Sequence, residues 1–335
     1  MKVLLLSNQG MTDNIIGNPI MLRMRDTLKE DSRIEEVKML RCKDPFKVRK
    51  ELRSIAKEVD VIHIHFGGAY AFVVWFLLMG IKRPKFITFH GTDIHAKAIK
   101  TAKSKKEKYR IKLNQVLSFL CIPLYDRCGF VAKEMIDYVP SWLQGQVQRK
   151  GFIQSLGVDY NRYVPMTKED AQKYLNLASG NYVLFSDVHN SKIKRRDIAE
   201  AIVKELDGKS QLLIMCGVHF NEVPYYINVC DFVLLTSDEE GSPNIIREAL
   251  SLNKPVFSVD VGDASQQLAG LKNSCIISRD AKQAAISIKN YLSSEYTDNT
   301  REKKRESLDF ARCNKKIIDL YIKCLQNRKI CYLET

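Results

Sequence analysis

The segment from Asp231 to Asp263 constrains the fold of this chain more than any other part of it. It begins with an apolar run, Phe232–Leu235, of the kind that forms a buried parallel strand. A polar turn over 237–243 follows, and apolar residues then recur with helical spacing from Ile245 to Leu250. A second apolar run over 256–259 predicts another strand. The segment therefore predicts a strand–helix–strand unit, which is typical of α/β proteins.

The turn before the predicted helix has the chemistry of an anion site. Ser242 is predicted to be the N-cap of the helix and Pro243 its first residue. A helix N-terminus presents unpaired N–H groups and the positive end of the helix dipole, so it can hold a phosphate. Glu240 precedes these donors and Glu248 lies on the helix, where side chains lean back toward the N-terminus. The two carboxylates are expected to flank one crevice and to suit a ligand with phosphates and hydroxyl groups, such as a nucleotide-sugar.

The sequence EGSPNIIREAL, continued by NKPVFSVDVGD, resembles the Glu-x7-Glu signature of the family-4 retaining glycosyltransferases, which have the GT-B architecture. The resemblance implies that Glu240 contacts the donor sugar, that Glu248 binds the ribose hydroxyls and that the backbone of the turn binds sugar and phosphate. The donor-binding residues that it implies here are Glu240, Gly241, Ser242, Pro243, Asn244 and Glu248. The alternative is a solvated helix start with two surface glutamates.

Two further segments, DVIHIH and HGTD, resemble the same family in the first half of the chain. Asp60–His65 is predicted to be a strand with His63 and His65 on one face. Open α/β sheets place ligands just after a parallel strand, which is where the second segment lies. The resemblance implies that His90 lies near the reacting centre, and Asp93 and His65 are further candidates. For each residue the alternative is a role in packing or hydrogen bonding alone.

The first predicted strand, Val3–Leu6, is followed by a long loop that contains Gly10 and Gly17. This loop lacks the GxGxxG fingerprint, which argues against a dinucleotide-dependent enzyme. The resemblance implies that Gly17 approaches the donor or the acceptor. An ordinary strand–helix loop is the alternative.

A basic cluster follows the predicted strand Tyr182–Phe185. The resemblance implies an arginine and a lysine here that neutralise the departing diphosphate. By its spacing to the helix that follows, Lys194 matches the family's lysine best. Lys192 fits the other spacing to that helix. Asp187 stands where the arginine often stands, and Arg195 is expected to supply the missing charge. This departure leaves open which residues would bind the departing diphosphate. The alternative for the whole cluster is a solvated basic helix start.

The repeated strand–helix pattern predicts two Rossmann-like domains whose parallel sheets face an interdomain cleft. An acceptor domain is expected over residues 1–159 and a nucleotide-sugar domain over 160–310. Residues 311–335 are expected to form a C-terminal helix that returns to the N-terminal domain, as in GT-B proteins. Within this scheme residues 117–121 are predicted to form a strand and residues 165–180 a linker.

The net charge of +14 is compatible with several anionic partners: nucleic acid, acidic lipid or a phosphorylated substrate. No RNA-binding signature or zinc-finger spacing occurs, so nucleic acid is not expected. The stretch Lys97–Lys112 is very basic. It is either a solvated helix or loop, or a patch that touches an acidic membrane or an acidic acceptor. The sequence of this stretch shows no clear amphipathic face for membrane insertion.

Nine cysteines occur without a CxxC pair or zinc spacing, which favours reduced thiols and a cytoplasmic location. The net charge is also compatible with peripheral contact to the inner face of the membrane. The chain begins directly with a predicted strand rather than with the apolar region of a signal peptide. No paired aspartates with metal spacing occur, so neither a metal nor a cofactor is expected besides the nucleotide-sugar co-substrate.

The predicted function is transfer of a sugar from a UDP- or GDP-sugar to a hydroxyl of a glycan or lipid-linked acceptor, with retention of configuration. This would serve glycan, polysaccharide or glycolipid biosynthesis. The predicted catalytic residues are His90, Lys194 and Glu240, and positive groups at the leaving oxygens would stabilise charge that grows in the transition state. Two alternatives remain: a non-catalytic GT-B subunit, for which Asp187 is the best support, and a sugar epimerase on the same architecture.

Overall fold

The computed structural model describes residues 1–8, 20–91, 93–95, 99, 102, 104–154, 157–187, 191–206, 208, 210–293 and 299–333. The chain divides into two compact units. The first unit contains the N-terminal strand, Ile20–Leu156 and Ala311–Thr335, and the second contains Gly157–Phe310. Each unit is built on its own parallel β-sheet with helices connecting the strands.

The first unit contains a six-stranded parallel sheet in the order β2-β1-β3-β4-β5-β6. Its strands are β1 (Lys2–Ser7), β2 (Glu36–Arg41), β3 (Val61–His65), β4 (Lys85–Phe89), β5 (Arg127–Phe130) and β6 (Gly151–Ile153). The chain passes from β1 to β2 on one side and then to β3 on the other, so the topological switch point lies between β1 and β3. Open α/β sheets bind ligands outside the carboxyl ends of the strands at such points.

In the part of the first unit that the structure describes, six α-helices accompany this sheet. They are α1 (Ile20–Glu30), α2 (Arg49–Glu58), α3 (Gly68–Leu77), α4 (Lys105–Leu124), α5 (Ser141–Lys150) and the C-terminal α13 (Phe310–Leu333). The core between helices and sheet is apolar and includes Leu4, Ile62 and Ile87, all fully buried. Tyr321 of α13 is also fully buried, with its ring 4.8 Å from that of Phe86.

The strand predicted over residues 117–121 is wrong, because these residues lie inside α4. The hydroxyl of Ser104 caps this helix by accepting the backbone N–H of Glu107 at 3.1 Å. Ser118, Cys121 and Ile122 are buried at helical spacing, which the alternating faces of a strand would not produce. The short apolar run alone did not distinguish the two structures.

The second unit contains a five-stranded parallel sheet in the order β11-β10-β9-β7-β8. Its strands are β7 (Asn181–Ser186), β8 (Ser210–Met215), β9 (Phe232–Leu235), β10 (Val256–Ser258) and β11 (Cys275–Ile276). The chain passes from β7 to β8 on one side and returns to β9 on the other. The switch point of this sheet therefore lies between β7 and β9.

Among the described residues of the second unit there are seven α-helices. They are α6 (Lys168–Leu175), α7 (Arg196–Glu205), α8 (Val223–Val229), α9 (Asn244–Ser251), α10 (Ala264–Leu268), α11 (Ala281–Leu292) and α12 (Thr300–Leu308). The predicted linker over 165–180 is in fact built around α6. Thr167 caps this helix by accepting the N–H of Asp170, and Asn176 ends it with a left-handed φ of 52°. The capping signal was present in the sequence and marks a helix start.

Among the described residues, no helix combines the length and apolar character that crossing a membrane requires.

Candidate functional site

A cavity of about 190 Å³ opens in the second unit at the carboxyl ends of its central strands. Ser186 at the end of β7 and Met215 at the end of β8 contribute to its wall. Six residues singled out in the sequence also line it: Lys194, Glu240, Ser242, Pro243, Asn244 and Glu248. The cavity thus lies at the switch point between β7 and β9, where this kind of sheet binds ligands.

Lys194 and Glu240 form an ion pair at this cavity. The ammonium Nζ of Lys194 lies 2.5 Å from Oε1 of Glu240, and the hydroxyl of the buried Ser237 donates to the same oxygen at 2.8 Å. The two side chains are only 26% and 16% exposed. An ammonium has three donors, so Lys194 can keep this contact and still donate to a ligand oxygen.

Hydrogen bonds from residues just after β9 hold the backbone of residues 193–195 beside the cavity. The hydroxyl of Thr236 lies 3.0 Å from the carbonyl oxygens of both Lys194 and Arg195, within hydrogen-bond reach of each. The backbone N–H of Asp238 donates to the carbonyl of Ile193 at 2.8 Å. Because β9 is buried, these bonds fix the position of the lysine backbone relative to the turn that carries Glu240.

Asp187 has a structural explanation. Its side chain is 2% exposed, and its carboxylate accepts the backbone N–H of Ser191 at 2.8 Å. This bond links the end of β7 to Ser191, which directly precedes the basic cluster. The aspartate in the position of the expected arginine thus binds the backbone, so its presence alone does not argue against a ligand site.

Arg195 does not line the cavity. Its backbone is left-handed, with φ 54°, and its guanidinium pairs with Asp197 at 2.8 Å and with Asp238 at 3.3 Å. The hydrogen bond that its guanidinium donates to the carboxylate of Asp197 raises the pKa of Arg195 further above its ordinary value. Arg279 binds the same Asp238 at 2.9 Å. The structure therefore directs the charge of Arg195 to two carboxylates rather than to the cavity.

The helix after the turn begins one residue later than predicted. Pro243 is the N-cap of α9, and no side chain among the described residues caps the helix. The hydroxyl of Ser242 instead donates to Asp263 at 2.6 Å and accepts from the guanidinium of Arg247 at 2.5 Å. Arg247 also donates to the carbonyl of Ser242 and to the side-chain oxygen of Asn244. Bonds to Arg247 on the same helix and to Asp263, 21 residues away, thus replaced the capping bond.

Gly262 is a site residue that the sequence did not reveal. Its φ is +57°, and a Cβ placed on it would lie 2.5 Å from the carbonyl oxygen of Gly241. Only glycine fits such a left-handed position with backbone at that distance. The turn after β10 therefore supports the back of the Glu240 turn, and Gly241 contributes to this contact through its backbone although it does not line the cavity.

In the first unit, His90 follows β4 and lies beside the end of β3. Its Nε2 is 3.0 Å from Nδ1 of His65, and the ring of His65 stacks on that of His63 at 4.4 Å. Burial lowers the pKa of His90 and of His63 to about 3, and lowers that of His65 well below its ordinary value. All three imidazoles are therefore neutral at pH 7.

Asp93 acts as a clamp within the backbone of this region. It is 4% exposed, and its carboxylate accepts the N–H groups of Gly67, His90 and Gly91 at 2.8, 3.0 and 2.9 Å. Burial raises the pKa of this carboxyl, and the same N–H groups act in the opposite direction. Asp93 joins the loop after β3 to the loop after β4 and so positions the backbone of His90.

Phe66 adopts a left-handed backbone with φ 71°, which is unusual for a bulky side chain and costs roughly 1–3 kcal/mol. Its ring stacks on the imidazole of His90 with centroids 4.1 Å apart and an interplanar angle of 27°. The strained position thus presents a flat face to His90. Gly17, the remaining candidate, lies outside the described residues.

No group of three or more acidic, histidine or cysteine side chains suited to a metal ion occurs in the described part of the chain.

Solved structures share this architecture. Sucrose-phosphate synthase from Thermosynechococcus elongatus has a TM-score of 0.77 at 13% identity, covering 98% of this chain and 100% of its own. HepE from Anabaena, in complex with UDP, has a TM-score of 0.70 at 16% identity, covering 96% and 100%. UDP-GlcNAc 2-epimerase from Neisseria meningitidis, bound to UDP-GlcNAc, has a TM-score of 0.59 at 11% identity, covering 96% and 100%. No protein-family model and no curated protein matches the sequence.

These likenesses, at identities of 11–16%, establish the fold. The predicted fold class is confirmed: two α/β units with parallel sheets of six and five strands, as in glycosyltransferases of GT-B type. Since an epimerase shares the fold, the fold alone does not define the reaction.

Proposed function

We propose that this protein is a retaining glycosyltransferase that moves a sugar from a nucleotide-sugar to an acceptor hydroxyl. The observation that carries the proposal is the cavity in which Lys194, Glu240 and Glu248 meet the N-terminus of α9. This set combines a cation and helix N–H groups for phosphate with two carboxylates for hydroxyl groups. It is the combination that a sugar bonded to a diphosphate requires.

The donor is proposed to be a UDP- or GDP-sugar. HepE, at a TM-score of 0.70, is described as a complex with UDP, which supports UDP as the first nucleotide to try. The cavity of about 190 Å³ is smaller than the range of about 300–1,000 Å³ for whole drug-sized ligands. We therefore assign it to the diphosphate and the groups next to it rather than to the complete donor.

The proposed chemistry needs no metal or cofactor beyond this co-substrate. Breaking the bond between sugar and diphosphate leaves negative charge on a phosphate oxygen, which Lys194 and the helix N–H groups would stabilise. That oxygen would take the acceptor proton on the same face, which retains the configuration. Glu240 would hold the sugar, and neutral His90 would contact the reacting sugar as a hydrogen-bonding group.

Glu240→Ala tests this assignment. The change removes the carboxylate proposed to hold the donor sugar and releases Lys194 from its ion pair, so transfer should fall by roughly 10²-fold. The measurement is nucleotide release from UDP-glucose and GDP-mannose with an acceptor mixture, and product analysis. Asp238→Ala is the control, because this carboxylate binds Arg195 and Arg279 and does not line the cavity.

The same assay separates the alternatives. A non-catalytic GT-B subunit would release no nucleotide from any donor. A sugar epimerase would convert the donor without an acceptor. Unchanged transfer by Glu240→Ala would remove this carboxylate from the site.

The acceptor is proposed to be a glycan or a lipid-linked molecule at the inner face of a membrane. Tyr109, Leu113 and Val116 of α4 are 70%, 44% and 44% exposed and lie on one helical face. Five exposed basic residues lie in the first turns of the same helix: Lys105, Lys106, Lys108, Arg110 and Lys112. Each cation near an anionic surface contributes about 1 kcal/mol to binding, and the apolar residues would enter the headgroup region. A cytoplasmic location is proposed with it.

Leu113→Asp is expected to reduce binding to phosphatidylglycerol vesicles by more than about tenfold, because it removes apolar surface and adds a repelled charge. Vesicle sedimentation measures this. Ile286→Asp on α11, where the isoleucine is 60% exposed, is the matched control and should bind like the wild type. Equal binding to neutral phosphatidylcholine vesicles, or an unaffected Leu113→Asp protein, would contradict the membrane proposal.

A further inference from the structure

The strand β8 is an edge of the second sheet that lacks the usual protection against pairing with another chain. In the described part of the chain the two sheets have four edge strands: β2, β6, β8 and β11. Of these, β6 and β11 have only three and two residues, and β2 carries Glu36, Lys38 and Arg41. Short strands and charged side chains are devices by which proteins block edge-to-edge pairing. In contrast, β8 has six residues, SQLLIM, with neither a charge nor a proline.

The outer side of β8 pairs with no other strand among the described residues, because its ladder runs to β7 alone. The carbonyl oxygen of Met215 accepts the N–H of Asp187, which follows β7, so the backbone groups of Met215 face β7. These groups alternate in direction along a strand. The N–H and C=O groups that point away from β7 are therefore those of Ser210, Leu212 and Ile214. Such a row is a template for a further strand.

The side chains of β8 are compatible with the addition of an identical strand. Leu212, Leu213 and Ile214 pack on the core of the second unit, yet each remains partly exposed. A further strand would cover more of this apolar surface. Since no residue from Ser210 to Met215 is charged, two copies of the strand can lie side by side without opposing like charges.

We propose that two copies of this protein associate through β8, which pairs with the same strand of the partner in antiparallel orientation about a two-fold axis. Most soluble homo-oligomers have such an axis, across which the same surface meets itself. The register follows from the outward backbone groups, because only these can exchange hydrogen bonds across the edge. Leu212 then faces its own copy at the axis, and Ser210 faces the partner's Ile214.

In this register every outward N–H and C=O of the three residues gains a partner, and the two five-stranded sheets become one continuous sheet. The edge of one strand buries less than the roughly 1,200 Å² of a standard interface, so the dimer should dissociate in the micromolar range. Such a dimer does not depend on the proposed glycosyltransferase function.

Sedimentation velocity of the full-length protein between about 1 and 100 µM tests the association. The mass of the wild type should rise toward that of two chains across this range. Leu212→Lys places two ammonium groups against each other at the axis and should remain monomeric throughout. Ile276→Lys is the matched control, because this residue is 37% exposed on β11, at the opposite edge of the same sheet, and the variant should associate like the wild type.

Disulfide formation tests the register. Gln211 is expected to face the partner's Leu213 in a pair without hydrogen bonds, where the Cα atoms lie about 4.5 Å apart and a disulfide fits. The exposed thiol of Cys216 is first removed by Cys216→Ser. In that background the double variant Gln211→Cys and Leu213→Cys should form a covalent dimer on mild oxidation. Neither single variant should do so, because each new thiol then faces an unchanged side chain.

A wild type that is still monomeric at about 100 µM would overturn the proposal, and so would a folded Leu212→Lys protein that associates like the wild type. If circular dichroism shows that Leu212→Lys does not fold, the cysteine variants decide. Absence of a covalent dimer in the double variant, or equal crosslinking in a single variant, would contradict the pairing of β8 with its own copy.

Discussion

Lys194→Ala is expected to lower the rate of sugar transfer by roughly 10²- to 10³-fold, the loss seen when one donor to a developing oxyanion is removed. Its ammonium lies 2.5 Å from Glu240 at the wall of the cavity, and it is the cation assigned to the departing diphosphate. Because that charge develops in the transition state, kcat should fall more than KM rises. Steady-state nucleotide release measures both constants.

Lys192→Ala is the matched control for this experiment. Lys192 belongs to the same basic cluster, is exposed and does not line the cavity. Its loss should change the rate by no more than about twofold, since exposed charges at a distance are largely screened. Equal losses in the two variants would mean that the cluster acts only through its overall charge. An active Lys194→Ala protein would remove the lysine from the mechanism.

Arg247→Ala is expected to lower the free energy of unfolding by roughly 3 kcal/mol, because it removes a buried side chain and leaves its partly buried acceptors without a donor. The arginine is 2% exposed and donates to Ser242 and Asn244, while Ser242 in turn donates to Asp263. The turn that carries Glu240 should loosen as well, so donor binding should weaken together with stability. Chemical denaturation and a donor titration measure the two effects.

Arg196→Ala is the control for the loss of an arginine. Arg196 is 47% exposed and pairs with Glu200 one helical turn away at 2.7 Å, a contact worth about 0.3–0.5 kcal/mol. The variant should therefore be nearly as stable as the wild type. A loss below about 1 kcal/mol for Arg247→Ala would show that the buried hydrogen bonds of this turn contribute little.

The local pattern of the chain was sufficient to predict many of its strands. Phe232–Leu235 is β9 as predicted, because a continuous apolar run bounded by turn residues is typical of a buried parallel strand. The same argument failed at 117–121, where a short apolar run belongs to a long helix that begins at Lys105, after the N-cap Ser104. Such a run has no period of its own, so only its neighbours and the tertiary packing distinguish helix from strand.

Site residues could be predicted where their spacing within one segment brings them together. They could not be predicted where contacts with residues distant in the sequence set their position. Glu240 and Glu248 line one cavity, as their spacing around a helix start suggested. The guanidinium of Arg195 binds its neighbour Asp197, but it also binds Asp238, which lies 43 residues away. The need for glycine at 262 likewise depends on the carbonyl of Gly241, which belongs to another loop. Contacts of this kind are set by the assembled sheet and have no signature in a single local segment.

Calorimetric titration of UDP and GDP into the wild type and into Glu248→Ala tests the central claim, that the cavity of the second unit binds the diphosphate end of a nucleotide-sugar. We expect one of the two nucleotides to bind the wild type at a single site, and Glu248→Ala to bind it about 10- to 100-fold more weakly, the loss of one charge-assisted hydrogen bond or two. Failure of both nucleotides to bind the wild type, or identical affinities for the two proteins, would contradict the claim.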